Sequence, residues 1–143
     1  MLGLALLTWL ACGACFSSDR GAEETARVFL DQYLIAADQQ SAITLTIGRA
    51  RAQIQQEIDL LSGFQDREEA LMEQKTAAQF DKVFERDRPN GDVAFLFRVT
   101  LERGGTEVPA QEVFVLLGIY DGRYLVKSFR FRDPTDIRTP DTP

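Results

Sequence analysis

DVAFLFRVTLERGGTEVPAQEVFVLLGIYDGRYLVKSFRFR, Asp92 to Arg132, is the stretch whose pattern decides the fold. It holds three apolar runs separated by Gly104-Gly105 and Asp121-Gly122. Val93, Phe95, Phe97, Val99 and Leu101 alternate with Ala94, Leu96, Arg98, Thr100 and Glu102, the period of a strand with two unlike faces. Val113–Tyr120 is apolar on both faces, as a central strand is. Gly-Gly and Asp-Gly make tight hairpin turns because these residues accept positive φ at little cost. A meander of antiparallel strands follows.

With regular strands, the two turns set a register. It places Ile119 opposite Tyr124, Leu117 opposite Val126 and Phe114 opposite Phe129. It also places Leu101 opposite Val108, Val99 opposite Ala110 and Phe95 opposite Phe114. One face then gathers Val93, Phe95, Phe97, Val99, Phe114, Phe129 and Phe131, and helices must cover it. The other gathers Ala94, Leu96, Val113, Val115, Leu117, Ile119, Tyr124 and Val126, with Arg98, Arg130 and Arg132 near one end. That second face is too apolar to stand alone in water.

Upstream, Ala22, Ala26, Phe29, Leu30, Tyr33 and Ala37 recur at helical spacing, which predicts a helix over Glu23–Asp38. Ile43, Ile47, Ala50, Ile54, Ile58 and Leu61 predict a second, with Gly48 as a candidate join between two helices. A weaker stripe predicts a third over Asp66–Ala78. Asp81–Arg88 reads either as the end of that helix or as a strand, and Pro89-Asn90-Gly91 favours the strand.

The chain has 143 residues, a formal net charge of −6 and no histidine. The acidic balance argues against a nucleic-acid partner, which needs basic surface to displace counterions. Lack of His removes the commonest general base and metal ligand. The pairs Glu23-Glu24 and Glu68-Glu69 are adjacent on helices and point apart, so they do not form acid–base or metal pairs. No catalytic residue, metal site or cofactor is expected, and the balance leans against an enzyme.

Met1–Phe16, MLGLALLTWLACGACF, carries no charge and is short for a membrane span, which needs about 20 residues. It resembles the signal of a bacterial lipoprotein, with Cys12 or Cys15, each preceded by Ala, as the lipidated residue. Ordinary signal cleavage, an uncleaved anchor and a C-x-x-C motif are the competing readings. The resulting organisation is a lipoprotein-type signal over 1–15, a linker over 16–22, one α+β domain over 23–132 and a disordered tail over 133–143. An acylated Cys would hold the domain on a lipid bilayer in the cell envelope, outside the cytoplasm.

EETARVFLDQYLIAAD at Glu23–Asp38 and DGRYLVKSFRF at Asp121–Phe131, helices followed by a bent meander, resemble the nuclear transport factor 2-like superfamily. The chain looks like small bacterial lipoproteins that carry one such domain. The resemblance spans about Arg20–Asp133. It implies a cone, with N-terminal helices packed in the concave face of a sheet of three to four strands and a pocket between them. Members resembling ketosteroid isomerase use an Asp base with Tyr and protonated Asp donors. Others use a His–Asp pair, which this chain cannot supply. No catalytic position carries over to Asp38, Tyr33 or Tyr120.

Two candidate sites remain. Tyr33 and Tyr120 are candidate pocket residues. Arg98, Arg130 and Arg132 are a candidate patch for an anion or partner, weighed against simple pairing with Glu102, Glu107, Glu85 or Asp87. In the regular register Arg98 and Arg132 flank Gln111. The expected function is a membrane-tethered envelope lipoprotein with a non-catalytic binding or assembly domain. Its partner, a second copy or another envelope protein, would meet the second sheet face. The alternative is a small-molecule-binding or isomerase-like enzyme using the cone pocket.

Overall fold

The structure, a computed structural model, describes residues 21–62 and 76–133. The first helix, α1 (Ala22–Leu30), forms because Ala26, Phe29 and Leu30 share one face and lose all solvent contact. Its N-terminus has no side-chain cap; Glu23 and Glu24 in the first turn meet the helix dipole instead. The helix widens to a π turn over Asp31–Ile35, with the Ala36 N–H donating to the Asp31 carbonyl at 3.0 Å. The Asp38 N–H then donates to the Gln32 carbonyl at 2.9 Å, and Ala37 turns left-handed at φ 49°. The expected helix over Glu23–Asp38 therefore stops short, at a left-handed residue that is not glycine.

Asp38 caps the short α2 (Gln39–Ala42), its Oδ1 accepting from the Ser41 N–H at 2.9 Å. A 3₁₀ turn over Ile43–Leu45 and extended residues lead to α3 (Gly48–Leu61). Gly48 is the joint, at φ 56°, so the second apolar stripe splits there. On α3, Ala50 and Ile54 reach the core.

Four strands follow: β1 (Thr76–Asp87), β2 (Val93–Arg103), β3 (Thr106–Tyr120) and β4 (Arg123–Arg132). They make one antiparallel sheet in the order β1-β2-β3-β4. Most of the expected third helix, residues 66–75, lies outside the described residues. Its end is corrected: Ala77 and Ala78 are strand, paired with Glu102 and Leu101. Both expected tight turns form, with positive φ at Gly104, Gly105, Asp121 and Gly122.

The register departs from the regular one at three bulges. β3 gains a residue on β2 after Leu101↔Val108, so Val99 faces Gln111 and Phe95 faces Val115. β4 gains one at Lys127, between Leu117↔Val126 and Leu116↔Ser128, so Phe114 faces Arg130 and Val115 faces Phe129. β1 gains one at Val83, between Lys82↔Phe97 and Phe84↔Leu96. One extra residue exchanges the faces of everything beyond it. Val113, Val115 and Leu117, expected on the second face, thus join Phe95, Phe97 and Val99 under the helices. Phe114 leaves for the far face.

The core is this helix-covered side. Phe29, Leu30, Ile54, Phe95, Phe97, Val113, Val115, Leu117 and Val126 are 0–1% exposed there. Each such side chain contributes about 1.5–3 kcal/mol by leaving water. Phe29, Tyr33, Phe129 and Phe131 extend it as an aromatic row, with neighbouring ring centroids 5.0–6.2 Å apart. The Ile47 N–H donates to the Val126 carbonyl at 2.9 Å, covering part of the outer edge of β4.

Candidate functional site

The far face of the sheet is built by the bulges. Residues directly opposite in an antiparallel pair share a face. Phe84, Leu96 and Phe114 therefore form one row across three strands, and Ala94 and Leu116 a second. Phe84 is 46% exposed, and Leu96, Phe114 and Leu116 are half-buried. The rows lie on the side away from the helix-covered core.

Next to them runs Arg98↔Glu112↔Arg132. Glu112 is buried, and its carboxylate accepts from Arg132 Nη2 at 2.6 Å, with Arg98 Nη2 at 3.7 Å on its other oxygen. The two guanidiniums flank Glu112, not Gln111 as a regular register required. The pairing partner is also a residue not among Glu102, Glu107, Glu85 and Asp87. Arg130 lies over the Phe114 ring, 5.6 Å from its centroid, a cation–π contact. The Arg98, Arg130 and Arg132 patch is thus one assembly in which a single carboxylate is shared by two arginines. Arg86, opposite Ala94, adds a fourth guanidinium to the same face. Such a surface offers flat apolar contact beside planar N–H donors suited to carboxylates.

At the other end of this face, Lys127 Nζ donates to Asp92 Oδ2 at 2.7 Å, and Asn90 Nδ2 donates to the same carboxylate at 3.0 Å. The hydrogen bond from Lys127 is the main cause holding the Asp92 carboxyl below its ordinary value. Gly118 lies beneath the pair. A Cβ there would stand 2.6 Å from Lys127 Cδ and 2.7 Å from Asp92 Oδ1.

The two tyrosines are not brought together. Tyr33 packs against Phe129 and Phe131, toward the C-terminal end of β4, and its hydroxyl donates to Glu57 at 2.9–3.0 Å. Burial first, then that hydrogen bond, raises the Tyr33 phenol well above its usual range. Tyr120 is opposite Arg123 at the hairpin and 57% exposed. It sits seven residues along β3 from Val113, the partner of Phe131, which is about 23 Å of strand. Among the described residues no cluster of Cys, Asp and Glu could hold a metal ion, and no helix is long and apolar enough to cross a membrane. Cys12 and Cys15 lie outside the described residues.

Glu112, Asp92, Lys127 and Glu57 are the site residues that sequence reasoning missed. Glu112 had a signal: a carboxylate set directly before the apolar run Val113–Tyr120 must find cations. The other three had none, because their partners are 24–35 residues away in sequence.

No protein-family model matches the chain, and a search of curated protein sequences gives no match. Among solved structures, Aln2 from a Streptomyces species is similar, with a TM-score of 0.59 at 12% identity, covering 78% of this chain and 86% of that one. The chain has the α+β fold expected from its sequence, helices packed on an antiparallel sheet, and shares that fold with Aln2.

Proposed function

We propose that the protein is a membrane-tethered lipoprotein of the bacterial envelope whose cone domain is a non-catalytic binding or assembly module. The observation that carries this reading is where the apolar surface lies. The helix-covered side is packed with side chains from the described residues, Phe29, Phe95, Phe97, Leu30 and Ile54 among them. The far face keeps the Phe84-Leu96-Phe114 row beside Arg86, Arg98, Arg130 and Arg132. In a chain of net charge −6, four arginines gathered on one face favour an acidic protein surface as partner. The tether is Cys12 or Cys15, at the end of the uncharged leader.

Mass spectrometry of the mature N-terminus tests the tether. An acylated Cys12 or Cys15 is the expected result, and an unmodified Met1 overturns it. A photo-crosslinking residue in place of Phe114, in the full chain in its native envelope, tests the face. A discrete adduct that disappears in Arg98→Glu/Arg130→Glu is expected; an adduct insensitive to those charges removes the acidic partner.

A second reading, ligand binding at the mouth of the cone, draws on Tyr33, Glu57 and Gln32. The Gln32 Oε1 atom is buried with no hydrogen-bond partner among the described residues, close in sequence to the Tyr33–Glu57 pair. Saturable quenching of tyrosine emission by a small apolar alcohol or ketone, measured on the domain without the leader that carries Trp9 and lost in Tyr33→Phe, would favour it.

A further inference from the structure

β1 ends the sheet, with β2 on one side and no strand on the other among the described residues. It is 12 residues long, and Val83 and Phe84 at its middle are 49% and 46% exposed. A long edge strand with exposed apolar residues is a template for another strand. The sequence of this edge, Gln79-Phe80-Asp81-Lys82-Val83-Phe84-Glu85-Arg86-Asp87-Arg88, has a property that selects the occupant. Reversed and laid against itself about the Val83–Phe84 bond, it opposes Lys82 to Glu85, Asp81 to Arg86 and Val83 to Phe84. Each of these pairs then occurs twice, as the two-fold axis of an isologous contact requires.

The bulge makes that register allowed. A two-fold axis between antiparallel neighbours stands perpendicular to the sheet, so paired residues must project from the same face. In a regular strand Lys82 and Glu85 would project from opposite faces. The extra residue at Val83 brings both to the helix side, where Lys82 Nζ reaches Glu85 at 2.7 Å and Glu23 of α1 at 2.6 Å. Asp81, Phe84 and Arg86, opposite Arg98, Leu96 and Ala94, all belong to the far face. Sliding the register by one residue sets Lys82 against Phe84 or Arg86, on the wrong face. Sliding it by two in one direction sets Phe84 against Glu85, also on opposite faces; in the other it sets Asp81 against Phe84 and Glu85 against Phe80, which loses both charge pairs.

We infer that β1 pairs with β1 of a second copy, making one continuous eight-stranded sheet about a two-fold axis at Val83–Phe84. Charges and a bulge on an edge usually discourage pairing. Here Asp81, Lys82, Glu85 and Arg86 alternate in sign so that each meets an opposite charge on the strand's own reversed copy, while Asp87 and Arg88 fall against Phe80 and Gln79. The two far faces become one surface, carrying two sets of the arginine-flanked apolar rows.

The test exchanges charges at the exposed pair Asp81 and Arg86, using the full chain in detergent and its protein mass by analytical ultracentrifugation. The wild type is expected to sediment as two chains. Asp81→Arg alone and Arg86→Asp alone are each expected to sediment as one chain, since each sets like charges together twice. Mixing the two variants is expected to restore two-chain particles containing one of each. In that mixed pair the introduced arginine faces the introduced aspartate, and the unchanged Arg86 of the first variant faces the unchanged Asp81 of the second. Unchanged circular dichroism of each variant separates lost pairing from lost folding. A wild type of one chain at every attainable concentration overturns the inference. So does a dimer that survives both single changes.

Discussion

Gly118 is the residue at which local chemistry and global packing are most tightly joined. Its lack of a side chain is what matters, because the Lys127–Asp92 pair occupies the space a Cβ would need. Gly118→Ala forces the pair apart or shifts β3, and should cost about 1–3 kcal/mol. Urea unfolding of the variant beside Gly118→Ala/Lys127→Ala measures it, the second change recovering part of the loss by clearing the space. The same pair sets an acid sensitivity. The Asp92 carboxyl titrates below its ordinary value of 3.8, chiefly through the Lys127 hydrogen bond. Its contribution to stability is therefore fully present above that value and is lost as pH falls through the lower native one. Glu23, held down first by Lys82, and Asp38, held down first by Ser41, act in the same direction. Thermal unfolding followed below about pH 4 should fall less steeply in Asp92→Asn than in the wild type. A parallel fall in both would deny the pair any role in acid unfolding. These contacts were invisible in the sequence, since Asp92 and Lys127 become neighbours only when two turns and a bulge place them so.

Among the elements, helix ends and strand bulges carry the departures from simple pattern. The helix begun at Ala22 was legible from its apolar period. Its end was not, since Ala36-Ala37 looks like good helix. The π turn and the left-handed Ala37 end it where Tyr33 must meet Phe129 and Phe131. Left-handed Ala carries a steric cost that Gly does not, so Ala37→Gly should stabilise the protein by about 0.5–1 kcal/mol, despite the greater freedom of unfolded Gly. A rise in the denaturation midpoint at unchanged slope is the expected reading. The turns Gly104-Gly105 and Asp121-Gly122 were readable because turn chemistry is local. The bulges at Val83 and Lys127 were not, because neither position carries Gly or another residue that demands a break. They form because the sheet must bend around α1 and α3 while keeping Phe97, Val115 and Leu117 inward.

For the molecule as a whole, one shared core decides stability. Phe97 is fully buried, stacks near Phe95 at 5.7 Å and lies beneath the Arg27 guanidinium at 5.2 Å. Phe97→Ala should remove about 3–5 kcal/mol, a large part of what a domain this size possesses. Chemical denaturation should show one cooperative transition moved to lower denaturant, whereas separate helix and sheet transitions would contradict a single core. The sequence by itself determined that helices precede an antiparallel meander, where both tight turns lie, and which residues are apolar enough to form a core. Those properties depend on neighbours within a few positions. Tertiary structure alone decided which sheet face receives Val113, Val115 and Leu117, that Arg98 and Arg132 close on Glu112, and that Tyr33 and Tyr120 stay apart. The physical reason is the two-residue period of a strand: a single inserted residue reverses every side chain beyond it, and only the curvature demanded by the packed helices selects where that residue goes.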